Sequence, residues 1–116
     1  MKNRSFVDRL GFALAGLRDA WARERSFRTH IACAALALTA LIILRPAAVW
    51  WALVGLAAAL VIAAEIINSA LERLADHLHP DLHPEIKAVK DMAAAAVLVF
   101  AIAALWVGFF LLVSLL

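Results

Sequence analysis

The stretch EIINSALERLAD, residues 65–76, carries Glu65, Asn68, Ser69, Glu72 and Asp76. At about 100° per residue, Glu65, Asn68, Glu72 and Asp76 project at roughly 0°, −60°, −20° and +20° around a helix axis, and Ser69 borders them near +40°. The other positions, Ile66, Ile67, Ala70, Leu71 and Leu74, are apolar, with Arg73 the one exception. A seam that only joins helices by hydrogen bonds needs no more than Asn68 and Ser69. Carboxylates on one stripe repel each other unless cations neutralise them. Lys87 and Lys90, a short way on in the chain, are one source of positive charge. Mg²⁺ is the other, since it takes one or two protein carboxylates and completes its octahedron with water and phosphate oxygens.

The elements that carry this stripe are apolar. The chain has 116 residues, enough for one domain, and is 66% hydrophobic, against about 45–50% in an ordinary soluble domain. Lys, Arg, Asp and Glu are absent from residues 29–44, 46–64 and 92–116. A bilayer core takes roughly 20 apolar helical residues, so the second and third runs span it outright. The first is short, and Arg28 extends it by snorkelling toward the headgroups. The reading is an all-α membrane protein in one domain over residues 1–116, with a surface helix at about 5–24 and spans at about 28–45, 47–74 and 86–114.

Charge gives the expected orientation. Lys2, Arg4, Arg9, Arg18, Arg23, Arg25 and Arg28 precede the first span. With three acidic residues mixed among them and no compact apolar core following, they read as mature protein, not as a signal peptide. Arg73, Lys87 and Lys90 lie between the second and third spans, and Arg45 alone lies between the first and second. The N-terminus and the 73–90 segment are therefore expected in the cytoplasm, with the Arg45–Pro46 turn and the C-terminus outside. Trp50, Trp51 and Trp106 suit an interfacial belt. The net charge of +2 is modest and gives no sign of a nucleic-acid partner. Cys33, the single cysteine, reads as a small packing residue.

Phe6, Leu10, Ala13, Leu14, Leu17 and Trp21 recur at helical spacing, with Asp8, Arg9, Asp19 and Arg23 off that stripe. Such a helix is expected to lie along the cytoplasmic membrane surface. If it continues without a break, Glu24 falls on its apolar stripe, where a carboxylate needs a partner. The segment HLHPDLHPEIK reads as a turn at the water boundary, with Pro84 opening the third spanning helix. His77, His79 and His83 read as solvated loop residues, because one cysteine and no distant histidine pair make a poor zinc set. In the third helix Lys87, Lys90, Asp91 and Ala94 share a face, and the small residues 93–96 permit close helix approach.

These features predict a cytoplasm-facing pocket at the membrane boundary, lined by acids, amides and lysines. No GxxxxGK[ST] motif or kinase catalytic loop is present. A transporter would continue its polar residues toward the outer leaflet. Here only Thr39 and Ser114 lie beyond mid-depth in the first and third spans, and residues 52–63 have none. A third reading is a non-enzymatic assembly subunit whose acids serve packing alone.

EIINSALERLAD, the short His-containing loop, AVKDMAAAAVLV and the upstream GLRDAWARERSFRTH together resemble the small integral-membrane diacylglycerol kinase family of bacteria, which includes undecaprenol kinases. The likeness runs from about residue 11 to 99. It implies a homotrimer in the bacterial inner membrane, with active sites shared between subunits. It also implies transfer of a phosphoryl group from MgATP to the hydroxyl of a membrane lipid, diacylglycerol or alternatively undecaprenol. By motif match, Glu65 would be the general base, and Glu24 and Glu72 would be Mg²⁺ ligands. Lys90 would contact phosphate, Asn68 and Asp91 would organise the site with Ser69 beside them, and Asp76 would lie at the nucleotide end. RSFRTH and KDMAAAAV look nearer the undecaprenol-type branch.

Overall fold

A computed structural model of the chain describes residues 3–116, so Lys2 lies outside the described residues. Four helices follow one another: α1 (Phe6–Arg23), α2 (Arg25–Leu44), α3 (Ala48–Leu78) and α4 (Pro84–Ser114). The last three are long and apolar enough to cross a membrane.

Each junction has a local cause. Ser5 caps α1 by accepting the Asp8 amide at 3.2 Å, and Asp8 adds a carboxylate to the first turn, where the helix dipole favours it. Between α1 and α2 the helix breaks at one residue, Glu24, whose φ of −111° and ψ of 106° are extended. Glu24 therefore does not continue the apolar stripe of α1 as expected of an unbroken helix. Arg28 Nη1 turns back to donate to the Trp21 carbonyl at 2.6 Å. It therefore caps the end of α1, where a cation meets the negative end of the dipole. Arg45, at φ 49°, closes α2 in the left-handed conformation with its amide on Leu41 O, and Pro46 prevents continuation. His83 caps α4 by accepting the Glu85 amide on Nδ1 at 3.1 Å, with Pro84 in the first turn.

α3 is the central element. It packs most extensively along α4, less along α2, and α1 touches mainly α2. The inward stripe of α4 repeats at helical spacing through Ile86, Lys90, Ala93, Val97, Ala104 and Leu111. Ala94, Ala95 and Ala96 are exposed, so of the small residues expected at the helix contact Ala93 alone meets it. The buried apolar residues are few: Ala20, Phe27, Leu41, Val61, Ala64 and Leu111. Large side chains such as Leu36, Ile43 and Leu105 stay more than 70% exposed. Apolar exposure on this scale is untenable in water and natural against hydrocarbon. The chain is a multi-pass membrane protein.

The stripe on α1 is also unpacked, with Phe6, Leu10, Leu14, Leu17 and Trp21 all exposed. Thr39 Oγ1 and Ser114 Oγ donate to their own helix carbonyls at Ala35 and Leu111. Both deep hydroxyls are thereby satisfied locally and form no polar path across the bundle.

Candidate active site

The start of α2, the end of α3 and the start of α4 meet at one end of the bundle, and every sequence-predicted site residue lies there. Three separate groups form. They are centred on Glu65, on Arg73 and on Lys90.

Glu65 is only 4% exposed. Two residues one turn apart on α2 face its carboxylate. Ser26 Oγ donates to Oε1 at 2.5 Å, and His30 Nε2 lies 3.4 Å from Oε2. The 39 positions separating Ser26 from Glu65 explain why sequence spacing gave no sign of this pairing. One turn further along α3, Ser69 is buried, and Asn68 presents an Oδ1 that is buried without a hydrogen-bond partner among the described residues. Glu72 follows, half-buried, and no donor among the described residues reaches it.

Arg73 organises the second group. Its Nε and Nη2 both donate to Glu24 Oε1, at 2.9 and 2.7 Å, and its Nη1 pairs with Asp19 of α1. The hydrogen bond from Arg73 is the main cause holding the Asp19 carboxyl below its ordinary value, against a smaller opposing effect of desolvation. The charged exception on the apolar part of α3 is thus what clasps α1 to the bundle. Because both donors converge on Oε1, Glu24 Oε2 keeps its lone pairs free of protein donors among the described residues.

In the third group Lys90, on the inward stripe of α4, pairs with Asp76 of α3. Lys87 instead pairs with Asp91 one turn along its own helix, at 2.6 Å, on the exposed side. The face expected to hold Lys87, Lys90 and Asp91 together is therefore split, because only Lys90 points at α3. A pocket of ≈ 150 Å³ opens beside Lys87 and Lys90 under the 79–83 loop. In that loop His79 packs edge-on against His83, with ring centroids 5.3 Å apart.

Among the described residues no three His, Cys, Asp or Glu side chains gather closely enough to hold a metal by themselves. The donors that are free, Glu72, Glu24 Oε2 and the orphaned Asn68 Oδ1, are all hard oxygens. That chemistry fits Mg²⁺, which needs few protein ligands when phosphates complete its shell. From His30 an apolar groove of ≈ 680 Å³ runs along α2, α3 and α4 past Cys33 and Val61 to Phe109. Cys33 is exposed on its wall and not packed as expected, because α2 and α4 stand apart across α3.

Fold and site together define a small three-span membrane protein with a buried carboxylate beside a cluster of acids and lysines at one end. The chain belongs to the prokaryotic diacylglycerol kinase family, whose sequence profile matches residues 11–112. It is 39% identical over 98 residues to a diacylglycerol kinase of Synechocystis sp., covering 84% of this chain and 56% of that protein, so the likeness spans little more than half of that relative. It is 35% identical over 94 residues to the diacylglycerol kinase of Escherichia coli, covering 81% of this chain and 77% of the relative. An undecaprenol kinase of Bacillus subtilis is 31% identical over 93 residues, covering 80% and 76%.

Proposed function

We propose that this chain is an ATP-dependent lipid kinase that transfers the γ-phosphoryl group of MgATP to the hydroxyl of diacylglycerol, giving phosphatidic acid. The observation that carries the reading is Glu65: a buried carboxylate, hydrogen-bonded to Ser26, at the end of a membrane-length helix whose polar stripe leads out to Lys90. A helix of 31 residues is about 46 Å long and a hydrocarbon core about 30 Å thick. Counted from Ala48, the core then ends near Asn68. Glu65 falls just inside that edge, where a lipid hydroxyl lies, and Glu72 and Asp76 fall outside it, where a nucleotide lies.

In the reaction Glu65 accepts the hydroxyl proton as that oxygen bonds to the γ-phosphorus. The bond from the γ-phosphorus to the bridging oxygen breaks, and ADP leaves. Lys90 releases Asp76 to meet the phosphates, and Asp76 stays at the nucleotide end. Glu72 and Glu24 would hold Mg²⁺ with Asn68 Oδ1 beside them. The bound ion offsets the negative charge of the transferring group, the main source of catalysis in this reaction class. Ser69 and Asp91 support the site from α3 and α4.

The functional unit is a homotrimer in the bacterial inner membrane, with the N-terminus and the 73–90 segment cytoplasmic and with sites shared between neighbours. The exposed apolar faces of α2 to α4 leave room for that assembly, and the unpacked stripe of α1 suits the membrane surface. Undecaprenol is the second acceptor reading, favoured by RSFRTH and KDMAAAAV. The test is purified protein in detergent with radiolabelled ATP and Mg²⁺, offered diacylglycerol and undecaprenol side by side. Labelled phosphatidic acid as the main product supports the reading. Label in undecaprenyl phosphate alone moves it to the second acceptor, and label in neither lipid overturns it.

A further inference from the structure

Resting on that reading, we propose that Ser26 and His30 are positioning residues for Glu65, and that His30 receives the proton which Glu65 collects. Neither belongs to the acidic stripe, and no role in the reaction above uses them. Ser26 Oγ donates to Oε1 at 2.5 Å, which fixes the plane of the carboxylate and leaves Oε2 as the working oxygen. His30 Nε2 lies 3.4 Å from that oxygen, a separation that closes to hydrogen-bond length when the site tightens around substrate.

The need for such a residue follows from burial. Glu65 is only 4% exposed, so once a lipid hydroxyl occupies that opening its proton has no direct way to water. The His30 side chain is 24% exposed and stands about one and a half turns from the start of α2, between the buried carboxylate and the outside. In the step proposed, the O–H bond on Glu65 Oε2 breaks and an N–H bond forms on His30 Nε2. The imidazolium then passes its Nδ1 proton to water, and Glu65 returns to the carboxylate. Exchange of the Nε2 proton with water restores the Nδ1–H tautomer of His30. Among the described residues Glu65 is the only carboxylate paired with the ring. Cys33, Ala34 and Val61, which line the groove with the ring, carry no carboxylate.

The test compares wild type, His30→Ala, His30→Gln, Ser26→Ala and Glu65→Gln as purified full-length proteins, measuring kcat and both KM values with and without added imidazole. His30→Ala opens a space continuous with the groove, so free imidazole has access to it. Expected is a fall in kcat of about tenfold or more for His30→Ala, with KM for ATP and lipid nearly unchanged. Imidazole should restore part of that loss, and should restore nothing in Glu65→Gln. His30→Gln, which keeps a polar group of similar reach, should be equally slow if the ring must carry a proton, and it serves as the folded comparison should the alanine variant unfold. Ser26→Ala should lower kcat by a smaller factor. Wild-type kcat in either His30 variant overturns the proposal, as does a loss that imidazole leaves untouched and that lies in KM. A wild-type protein that phosphorylates no lipid overturns the kinase reading itself, and this inference with it.

Discussion

Arg73 Nη2 lies 2.7 Å from Glu24 Oε1, tying the end of α3 to the single residue that separates α1 from α2. With Asp19 on the same guanidinium, this clasp fixes where α1 leaves the bundle, and hence where α2 begins and where Ser26 meets Glu65.

Replacing Arg73 by alanine should loosen that junction. Glu24 would keep its place in the chain and lose its charge partner, and α1 would swing more freely. The measurement is limited proteolysis of the purified protein around residues 19–25, with cleavage severalfold faster in Arg73→Ala than in wild type. Equal cleavage rates would mean that α1 is held by other contacts.

Asp19 gives this clasp a pH dependence of definite sign. Its folded-state pKa lies below the ordinary value of 3.8, chiefly through the Arg73 hydrogen bond. A depressed carboxyl pKa contributes stability that is present above the unfolded value and is lost as pH falls through the folded one. The docking of α1 should therefore be insensitive to Asp19 titration at neutral pH and should weaken only below about 4. Trp21, exposed on α1, reports it by fluorescence. Asp19→Asn should lack the acid transition and be weaker throughout. A transition that persists unchanged in that variant would assign it to another group.

The free oxygens of Glu72 and Glu24 bear on the proposed Mg²⁺ site. Glu72→Gln and Glu24→Gln should each raise the Mg²⁺ concentration needed for half-maximal lipid phosphorylation severalfold, with the larger effect at Glu72, because Glu24 also serves Arg73. Titrating Mg²⁺ at fixed ATP checks this. An unchanged requirement would remove that residue from the coordination shell.

Much of the fold was legible because three long uncharged apolar runs leave few alternatives, and the turn signals at Arg45–Pro46 and Pro84 stand where helices stop and start. The polar stripe was legible too, since helical periodicity alone puts Glu65, Asn68, Glu72 and Asp76 on one face. What meets that stripe was not. Ser26 and His30 entered the sequence reading only as members of the RSFRTH segment, and their contact with Glu65 emerges once the break at Glu24 sets the register of α2 against α3. Arg73 looked like a surface exception because its partners come from a helix that folds back from a distant part of the chain. Lys87 and Asp91 pair within a single turn of α4, a geometry that the shared face alone does not distinguish from Lys87 pointing at α3.

The central claim is that Glu65 takes the proton from the lipid hydroxyl. The most direct measurement is single-turnover phosphoryl transfer from radiolabelled ATP to diacylglycerol, with wild type and Glu65→Gln at equal, saturating substrate. Glutamine keeps the shape and can still meet Ser26, so the variant should insert, purify and melt like wild type. Expected is a transfer rate at least about a hundredfold lower, the usual scale of a lost general base. A folded Glu65→Gln protein that phosphorylates diacylglycerol at the wild-type rate would contradict the claim.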